Sequence, residues 1–466
     1  MHRLLDAALD SHRPADLAAR TLSLRPCAHE LRKPAPLGSN GAMTTNQAFA
    51  GSSTAPRSVY VRRMLDAARA CLLVTAASLP LSTAVTNAFG VLAFLCWALS
   101  GEWRPALRAI AAEPAAWLGF ALLAALLAGT TWSRVPAAEA LGAVVKYREL
   151  ALFGIAMFLL QDARWRARVL WAFFAGALAL LVLSYSISLG LMHFADARGF
   201  SSAQNAVLLK NAITHGFIMS LLAYGAAVVA LCNTGWRRWA LGIVALLAAI
   251  NVWFAVQGRT GYVTLAVLLL WLAYRRWSIK GFAAAALGLG IVLAAAYQWA
   301  PVFQMRVGQA VEEARDYSVQ HNPGETSIGS RLHFWKRSAQ WLAQHPLLGS
   351  GTGAWREAFY EATEGDPPFM HSRDRNHPHN EYVHLAVQLG PMGLALFVAL
   401  LIVAFRRAAF LLGEYAALAQ GLVLAFAVGS LFNDLLLDTT EAHLWAVLGG
   451  ALFGAALNPP SAPQKG

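Results

Sequence analysis

Charged residues are scarce in this chain of 466 residues. Asp, Glu, Lys and Arg together make up 13% of it, and 57% of the residues are hydrophobic. Soluble globular domains carry about 25% charged and about 45–50% apolar residues. The composition therefore excludes a soluble enzyme and a disordered protein, and it predicts a polytopic membrane protein.

Cysteine is also scarce, and the residues present form no recognisable site. The four cysteines are Cys27, Cys71, Cys96 and Cys232, and none belongs to a Cys-x-x-Cys pair. Neither a disulfide framework nor a thiolate metal site is therefore predicted. The sequence contains no His-Glu-x-x-His motif, and no pair of carboxylates stands out as a glycoside hydrolase pair.

Long apolar runs, in contrast, dominate the chain. A membrane-spanning helix needs roughly 20 apolar residues, and about twelve runs approach that length. We therefore predict an all-α polytopic membrane protein with about 12 transmembrane helices. The predicted spans are residues 66–82, 85–100, 115–131, 143–160, 168–190, 211–232, 237–256, 260–274, 281–299, 382–404, 409–432 and 441–457.

Polar stretches divide these runs into blocks. The predicted blocks are a disordered cytoplasmic tail over 1–58, transmembrane helices 1–9 over 59–300, an insertion over 301–381, transmembrane helices 10–12 over 382–457, and a cytoplasmic tail over 458–466. The first block has no apolar core of the kind that a signal peptide contains.

The insertion is predicted to be mostly helical. Its helical segments cover residues 302–317, a stretch from Ser327 or Ser330 to His345, and about 355–364. The second segment carries an apolar stripe at helical spacing. The turn-rich sequence Gly349-Ser-Gly-Thr-Gly353 links the second segment to the third.

Basic residues in the short loops predict the orientation. With the N-terminus in the cytoplasm, sixteen such residues lie on the cytoplasmic side and six on the other side. Membrane proteins favour basic residues in cytoplasmic loops, so both termini are predicted to be cytoplasmic and the insertion to face outward. The six outward residues are Arg134, Lys146, Arg148, Arg198, Lys210 and Arg259.

Histidines are concentrated in the insertion, which holds six of the thirteen. The sequence His377-Pro378-His379-Asn380 lies where the insertion meets the membrane. A histidine takes up a proton near neutral pH, so we expect His379 to be a general base, with His377 and Asn380 in contact with the substrate. The alternatives are solvated loop histidines and a zinc site formed by His371, Asp374, His377 and His379. An isolated His-x-His pair is a weak metal signal, so we predict no metal.

The outward basic residues suggest an anion site. Arg259 lies in the turn Gln257-Gly258-Arg259-Thr260-Gly261, whose glycines would let a bulky anion approach the guanidinium. Lys146 and Arg148 are predicted to open the fourth helix, and Lys210 the sixth, with His215 one turn further on. Arg331 begins the long helix of the insertion. Snorkelling or solvated charges are the alternative for each residue.

The loop over 433–441 is acidic, with Asp434, Asp438 and Glu441. These carboxylates could bind sugar hydroxyls or pair with the arginines. We expect them to be solvated charges of the loop.

Five motifs in order give the chain a family resemblance. They are Gln257-Gly-Arg-Thr-Gly, Gly329-Ser-Arg-Leu-His-Phe-Trp, His345-Pro-Leu-Leu-Gly-Ser-Gly, His377-Pro-His-Asn-Glu-Tyr and Gln388-Leu-Gly-Pro-Met-Gly. This order resembles the O-antigen ligase and polymerase superfamily of bacterial inner-membrane glycosyltransferases. Within that superfamily, the chain is most similar to the O-antigen ligases.

The resemblance implies an activity in lipopolysaccharide biosynthesis. Such ligases transfer a polysaccharide from undecaprenyl diphosphate to the lipid A–core oligosaccharide at the periplasmic face of the inner membrane, without a metal or another cofactor. By motif, the family histidine corresponds to His379 and its two arginines to Arg259 and Arg331. Lys146, Arg148 and Lys210 match no family motif.

Other functions remain open at this stage. An O-antigen polymerase and a protein O-oligosaccharyltransferase of the same superfamily share these motifs. A polysaccharide transporter or flippase is the alternative of a different class. It would carry ionisable groups near the bilayer midplane and internal symmetry, whereas the predicted helix centres are mostly apolar and no internal repeat is visible.

The predicted orientation can be tested by cysteine labelling in a cysteine-free background. A cysteine at Gly324 should react with a membrane-impermeant maleimide added from the periplasm, and a cysteine at Gly235 should not. The reverse pattern would contradict the orientation.

Overall fold

The apolar runs of the sequence form helices. The computed structural model describes residues 58–192, 205–256, 258–299, 301–315, 326–366 and 376–457. The regular secondary structure of these residues is helical, without any strand among them, so the predicted all-α class is confirmed for this part of the chain. The predicted terminal tails lie outside it, except for Ser58.

Seventeen α-helices follow one another along the described residues. The first seven are α1 (Val59–Ser78), α2 (Thr83–Ser100), α3 (Trp103–Ala112), α4 (Pro114–Gly129), α5 (Ala137–Lys146), α6 (Glu149–Leu159) and α7 (Ala163–Ser188). The next six are α8 (Ala212–Cys232), α9 (Gly235–Ile250), α10 (Arg259–Trp299), α11 (Pro301–Arg315), α12 (Ser327–Gln344) and α13 (Trp355–Ala362). The last four are α14 (Glu381–Ala408), α15 (Glu414–Gly429), α16 (Thr439–Leu444) and α17 (Gly450–Phe453). Wide π-helical turns extend α9 over Asn251–Ala255 and join α16 to α17 over Trp445–Gly449.

Seven of these helical stretches are long and apolar enough to cross a membrane. They are Thr83–Ser100, Pro114–Trp132, Ala163–Ser188, Ala212–Cys232, Gly235–Ala255, Arg259–Trp299 and Glu381–Ala408, and Glu414–Gly429 is a shorter apolar helix. The chain is therefore a multi-pass membrane protein by length and composition of its helices. The predicted number of about twelve exceeds this set, because several apolar runs are shorter, broken or merged in the structure.

Two predicted spans are merged in α10. The runs over 260–274 and 281–299 join without a loop, and only Trp277 (φ −133°, ψ 17°) and Ser278 (φ 52°, ψ −150°) leave the helical conformation. The α10 helix therefore consists of two helical segments that meet at a kink. The short loop predicted between these spans is a two-residue bend.

One predicted span is broken in two. The run over 143–160 is divided between α5 and α6, with Lys146 as the last residue of α5 and Arg148 just before α6. The prediction that both residues open one helix is therefore wrong. Tyr147 lies at the break, where its buried side chain donates a hydrogen bond to Glu381 Oε1 at 3.1 Å.

The α14 helix is also interrupted, and another part of the chain repairs the interruption. Gly390 adopts φ 66° and ψ −157°, and Pro391 has no N–H to donate to the preceding turn. The carbonyl oxygens of Val387 and Gln388 instead accept hydrogen bonds from backbone N–H groups of the 349–353 segment, at 2.8 and 2.9 Å. The buried backbone groups at the kink are thus satisfied.

The 349–353 segment can make these contacts because it is rich in glycine. Gly351 has φ +88°, and a Cβ atom there would lie 2.2 Å from the Cα atom of Ser133. Thr352 Oγ1 donates to the carbonyl of Leu126 in α4 at 2.6 Å. The segment therefore connects the kink of α14 to the end of α4. The glycine-containing motifs at 349–353 and at 388–393 thus both have a structural role.

The helices of the insertion pack against the beginning of α14. Phe334, Trp341, Trp355, Phe359 and Val387 belong to one buried apolar cluster. Ion pairs Arg134–Glu361 and Arg337–Asp366 hold its edges. The predicted helical character of the insertion is confirmed for its described residues, with α11, α12 and α13 close to the three predicted segments.

The tie between α4 and α14 predicts a large cost for a side chain at Gly351. We expect Gly351→Ala to lower the thermal unfolding midpoint of the purified protein by at least twice as much as Gly365→Ala. Both glycines have positive φ, at +88° and +86°. An alanine at either position must therefore adopt the left-handed backbone conformation, which costs roughly 1–2 kcal/mol. Of these two positions, only Gly351 has backbone nearby that must also shift, because no atom of the described residues outside its neighbours lies within 4 Å of a Cβ at Gly365. Equal midpoints for the two variants would contradict the prediction.

Candidate active site

The candidate site lies where the chain enters α14. The segment over 376–380 leads into this helix, and the turn over 430–438 between α15 and α16 lies beside it. The N–H of Glu381 donates to the carbonyl of Ser430 at 2.9 Å, and Asn380 Nδ2 donates to the carbonyl of Leu431 at 3.1 Å. The fold therefore brings the His-Pro-His sequence and the acidic loop together.

Asp434 is the buried centre of this arrangement. Its carboxylate is fully buried, with Oδ2 2.6 Å from His377 Nδ1 and Oδ1 3.2 Å from His384 Nδ1. The expectation that Asp434 is a solvated loop charge is therefore wrong. Sequence reasoning did not pair this residue with the histidines, because they are 57 residues apart along the chain.

A different side chain holds His379. Its Nδ1 lies 3.2 Å from Asn433 Oδ1, and Asn433 Nδ2 donates to Asp438 Oδ2 at 2.7 Å. Since the amide nitrogen of Asn433 faces a carboxylate, its oxygen must accept, and His379 Nδ1 must carry a proton. His379 Nε2 makes no hydrogen bond to a described residue and keeps a lone pair when the ring is neutral.

Burial raises the pKa of Asp438 to about 6.

The side-chain amide of Asn380 holds the backbone of α14 and of the 430–438 turn. Its Oδ1 accepts from the N–H of Val383 at 3.1 Å and caps α14, and its Nδ2 is the donor to Leu431. The amide that orients the ring of His379 is thus Asn433. A substrate contact of Asn380 stays a prediction.

The backbone at His379 is strained. Its φ is +53°, in the left-handed region that residues other than glycine rarely adopt. The carbonyl of the preceding Pro378 accepts a hydrogen bond from Trp335 Nε1 at 3.1 Å, which fixes the peptide from the insertion side. Such strain persists where the surrounding contacts define the conformation, and it is frequent at functional sites.

The two histidines have opposite protonation preferences. Burial alone would lower the pKa of His377, but the hydrogen bond and charge of Asp434 raise it above the ordinary value. Burial, the charge of His377 and the charge of Arg331 lower the pKa of His379. His377 and Asp434 form an ion pair, and the hydrogen bond from His377 holds the pKa of the Asp434 carboxyl far below its usual range. The site therefore favours a charged His377 beside a neutral His379.

Arg331 completes the positive side of the site. It lies in the first turns of α12 and is partly buried, and burial together with the charge of Arg259 lowers its pKa. Glu313 and Asp434 act on it in the opposite direction. The two arginines predicted from the motifs therefore interact electrostatically. The charge of Arg331 also lowers the pKa of His379.

Arg259 is positioned by the insertion. Its guanidinium contacts Glu313 through Nη1 and Nη2 at 3.4 and 3.3 Å. Glu313 Oε2 also accepts from the N–H of Ile328 at the start of α12, at 3.0 Å. Glu313 thus connects Arg259 to the helix that carries Arg331.

The glycines beside Arg259 serve helix packing. A Cβ atom at Gly258 would lie 2.3 Å from the carbonyl oxygen of Ala212, and one at Gly261 would lie 2.9 Å from the Cα atom of Gly216. These glycines let α10 approach the backbone of α8. The expectation that they clear space for an anion is therefore wrong, and Gln257 lies outside the described residues.

Lys146 and Arg148 have different surroundings. The charge of Lys146 acts on His377 and lowers its pKa, so Lys146 belongs to the surroundings of the site. Arg148 instead donates to Asn87 Oδ1 and pairs with Glu149 at 2.9 Å. A substrate contact of either residue stays a prediction.

Lys210 and His215 are buried and already paired. Lys210 Nζ donates to Thr83 Oγ1 at 2.8 Å and to Thr440 Oγ1 at 2.9 Å. His215 Nε2 lies 3.0 Å from Asn251 Oδ1 and has no exposed surface. Their predicted contacts with substrate would require these side chains to leave their present partners, and they stay predictions.

The same residues could hold a metal ion in another arrangement. The ligand atoms of His377, His379 and Asp434 all lie within 4.8 Å of one another. His371 and Asp374, which the sequence placed in a possible zinc site, lie outside the described residues. Two imidazoles and a carboxylate suit zinc, so removal of metal ions is a necessary experiment on this site.

Comparison with known proteins gives two matches. Residues 243–398 match a protein family described as O-antigen ligase. The chain is also 28% identical over 231 residues to "Exopolysaccharide production protein ExoQ" of Rhizobium meliloti (strain 1021). That match covers 49% of this chain and 51% of the relative, so the chain spans about half the length of the curated relative. Both matches support the superfamily that the motifs indicated.

The opposite pKa shifts predict two distinct titrations. In NMR spectra of protein with ring-labelled histidine, His379 should titrate below the ordinary value of about 6.5 and His377 above it. Asp434→Asn should lower the pKa of His377, because the carboxylate that stabilises its charged form is removed. Histidine-to-glutamine variants assign the signals. A pKa of His377 that stays unchanged in correctly folded Asp434→Asn would contradict the proposed pairing.

Proposed function

We propose that the chain is an O-antigen ligase, since its motifs and both matches support the O-antigen ligase and polymerase superfamily. It transfers a polysaccharide from undecaprenyl diphosphate to the lipid A–core oligosaccharide in lipopolysaccharide biosynthesis. It lies in the bacterial inner membrane with both termini in the cytoplasm, and the insertion over 301–381 and the site face the periplasm.

One arrangement supports this proposal: Asn433 holds His379, whose pKa is lowered by burial, by the charge of His377 and by the charge of Arg331. His379 is held through Nδ1, so Nε2 is available to take a proton. Arg331 acts on His379, and Arg259 acts on Arg331. Glycosyl transfer from a lipid diphosphate needs a base for the acceptor hydroxyl and positive charge for the departing diphosphate.

These groups support a direct displacement. His379 Nε2 takes the proton of the acceptor hydroxyl while its oxygen forms a bond to the anomeric carbon of the donor sugar. The bond from that carbon to the diphosphate oxygen breaks, and undecaprenyl diphosphate leaves with the electron pair. Attack from the opposite face inverts the anomeric configuration. Arg259 and Arg331 stabilise the charge on the leaving group through their planar donor forks, without a metal.

His377 has a different role in this mechanism. Its charged ring donates through Nδ1 to Asp434, which leaves the Nε2–H group to donate to an anion. We assign it to the diphosphate together with Lys146. The charge of His377 also keeps His379 neutral.

A polymerase acting on a polysaccharide is the second candidate function. The name of the similar Rhizobium meliloti protein refers to exopolysaccharide production. A polymerase would use the same kind of donor and would add repeat units to a growing chain. A deletion strain separates the two functions. Loss of a ligase leaves long unattached lipid-linked polymer, whereas loss of a polymerase leaves a single repeat unit on the core.

The proposed base predicts a graded effect of the two histidines. In proteoliposomes with purified donor and lipid A–core, His379→Ala should lower transfer by about 10²–10⁴-fold. Donor binding should survive, because the arginines remain. His377→Ala should be milder, and it should move the acid limb of the pH–rate profile to higher pH, because removal of its charge raises the pKa of His379. Near wild-type transfer by His379→Ala would show that this ring is structural.

The proposed anion site predicts that charge alone is insufficient. Arg259→Lys and Arg331→Lys keep the charge but lose the planar fork, so each should impair transfer. Each Arg→Ala variant should lose about 100-fold in rate, or roughly 3 kcal/mol of transition-state stabilisation. Arg356→Lys is the matched control, because Arg356 pairs with Glu139 and Glu357, neither of which belongs to the proposed anion site. Full activity of both Arg→Ala variants at normal expression would reject the site.

A further inference from the structure

A polar cavity lies where α6 ends, away from the candidate active site. Arg69, Pro105, Arg108, Phe158, Gln161 and Leu457 are among its lining residues, and its volume is about 520 Å³. Its lining comes from α1, α3, the end of α6, the residues just before α7 and Leu457 after the last helix. The candidate active site, in contrast, lies where α14 and α16 begin. The cavity is therefore separate from the groups proposed to transfer sugar.

The lining of the cavity carries two arginines and one aspartate, and two of these side chains are held in place. Arg69 is fixed by a hydrogen bond from Nε to the carbonyl of Leu159 at 2.9 Å and by an ion pair with Asp66 at 2.9 Å. Arg108 is exposed and has no hydrogen bond or ion pair to any residue that the structure describes. Asp162, which also lines the cavity, uses its Oδ1 to cap α7 by accepting from two backbone N–H groups.

Arginine outnumbers acidic residues around the cavity. The stretches over 59–69, 102–113 and 161–168 contain eight arginines and four acidic residues. One of those acids, Glu113, is already held by Arg407 at 3.1 Å. The surroundings of the cavity therefore attract an anion, and Arg108 is the cation best placed to bind it.

The helix that carries Arg108 has the form of an interfacial helix. The α3 helix has only ten residues, too few to span a membrane. Ala106 and Ile110 are buried against the bundle, whereas Trp103 and Leu107 are 56% and 59% exposed. A short helix with exposed apolar residues on one side and arginines beside them is suited to the level of lipid headgroups.

We propose that this cavity binds the headgroup phosphate of an anionic phospholipid. Arg108 and Arg69 contact the phosphate, because guanidinium groups match phosphate oxygens in geometry and charge. Phe158 and Leu457 contact the apolar part of the lipid next to the headgroup. Trp103 and Leu107 place α3 in the same layer of the membrane. This binding does not depend on the proposed sugar transfer.

The proposal is tested by thermal unfolding of the full chain in nanodiscs. Discs of phosphatidylcholine are compared with discs that contain increasing fractions of phosphatidylglycerol. A lipid that binds the folded state should raise the unfolding midpoint in a saturable way. For Arg108→Ala, the fraction of phosphatidylglycerol that gives half of the rise should increase about tenfold or more, as expected for loss of a charge-assisted contact.

Arg104→Ala is the matched control. Arg104 is exposed on the same helix but does not line the cavity, so this variant should respond as the wild type does. An equal loss in both variants would overturn the site in favour of general surface charge. A midpoint that does not respond to phosphatidylglycerol in the wild type would overturn it as well. An equal rise caused by inorganic phosphate in phosphatidylcholine discs would replace the lipid with a free anion.

Discussion

The contact between the 376–380 segment and the turn over 430–438 determines the rest of the candidate site. Two adjacent residues of the turn hold the two histidines, Asn433 holding His379 and Asp434 holding His377. Because the side chains that hold them differ in charge, the pKa of His377 is raised and that of His379 is lowered. The proposed mechanism uses this difference, with His379 as the base and His377 as the donor, both from one short sequence, His-Pro-His.

This contact can form only if α14 starts in the right place. The cap by Asn380 fixes the first turn of α14, and Trp335 fixes the peptide of Pro378 from the insertion. Further along, the kink at Gly390 is satisfied by the 349–353 segment. Helices of the insertion and helices of the membrane bundle therefore position the same few side chains, and the strained backbone at His379 is the product of both.

Sequence alone predicted the local features well. The helical class and the helices of the insertion both depend on residues near one another in the chain, whereas the roles of Arg259, Arg331 and His379 stay predictions. The role of Asn433 could not be predicted in this way, because Asn433 follows its partner His379 by 54 residues. No periodicity or spacing links these two residues before the chain folds.

Glycines illustrate a second limit of sequence reasoning. Near Arg259 they look like room for a ligand, but Gly258 and Gly261 face the backbone of α8. The number of spans is subject to a similar limit, since hydropathy does not distinguish a loop from the kink at Trp277 and Ser278. In both cases, a neighbouring helix or a local bend decides the structure.

The central claim is that a neutral His379, held by Asn433, supports glycosyl transfer without a metal. The most direct measurement is the rate of transfer in proteoliposomes as a function of pH, with and without a strong chelator. We predict identical profiles, with a plateau at neutral pH and an acid limb below about 6.5, the ordinary histidine value. Loss of transfer in the chelator and its return with zinc would contradict the claim. It would assign His377, His379 and Asp434 to a metal ion.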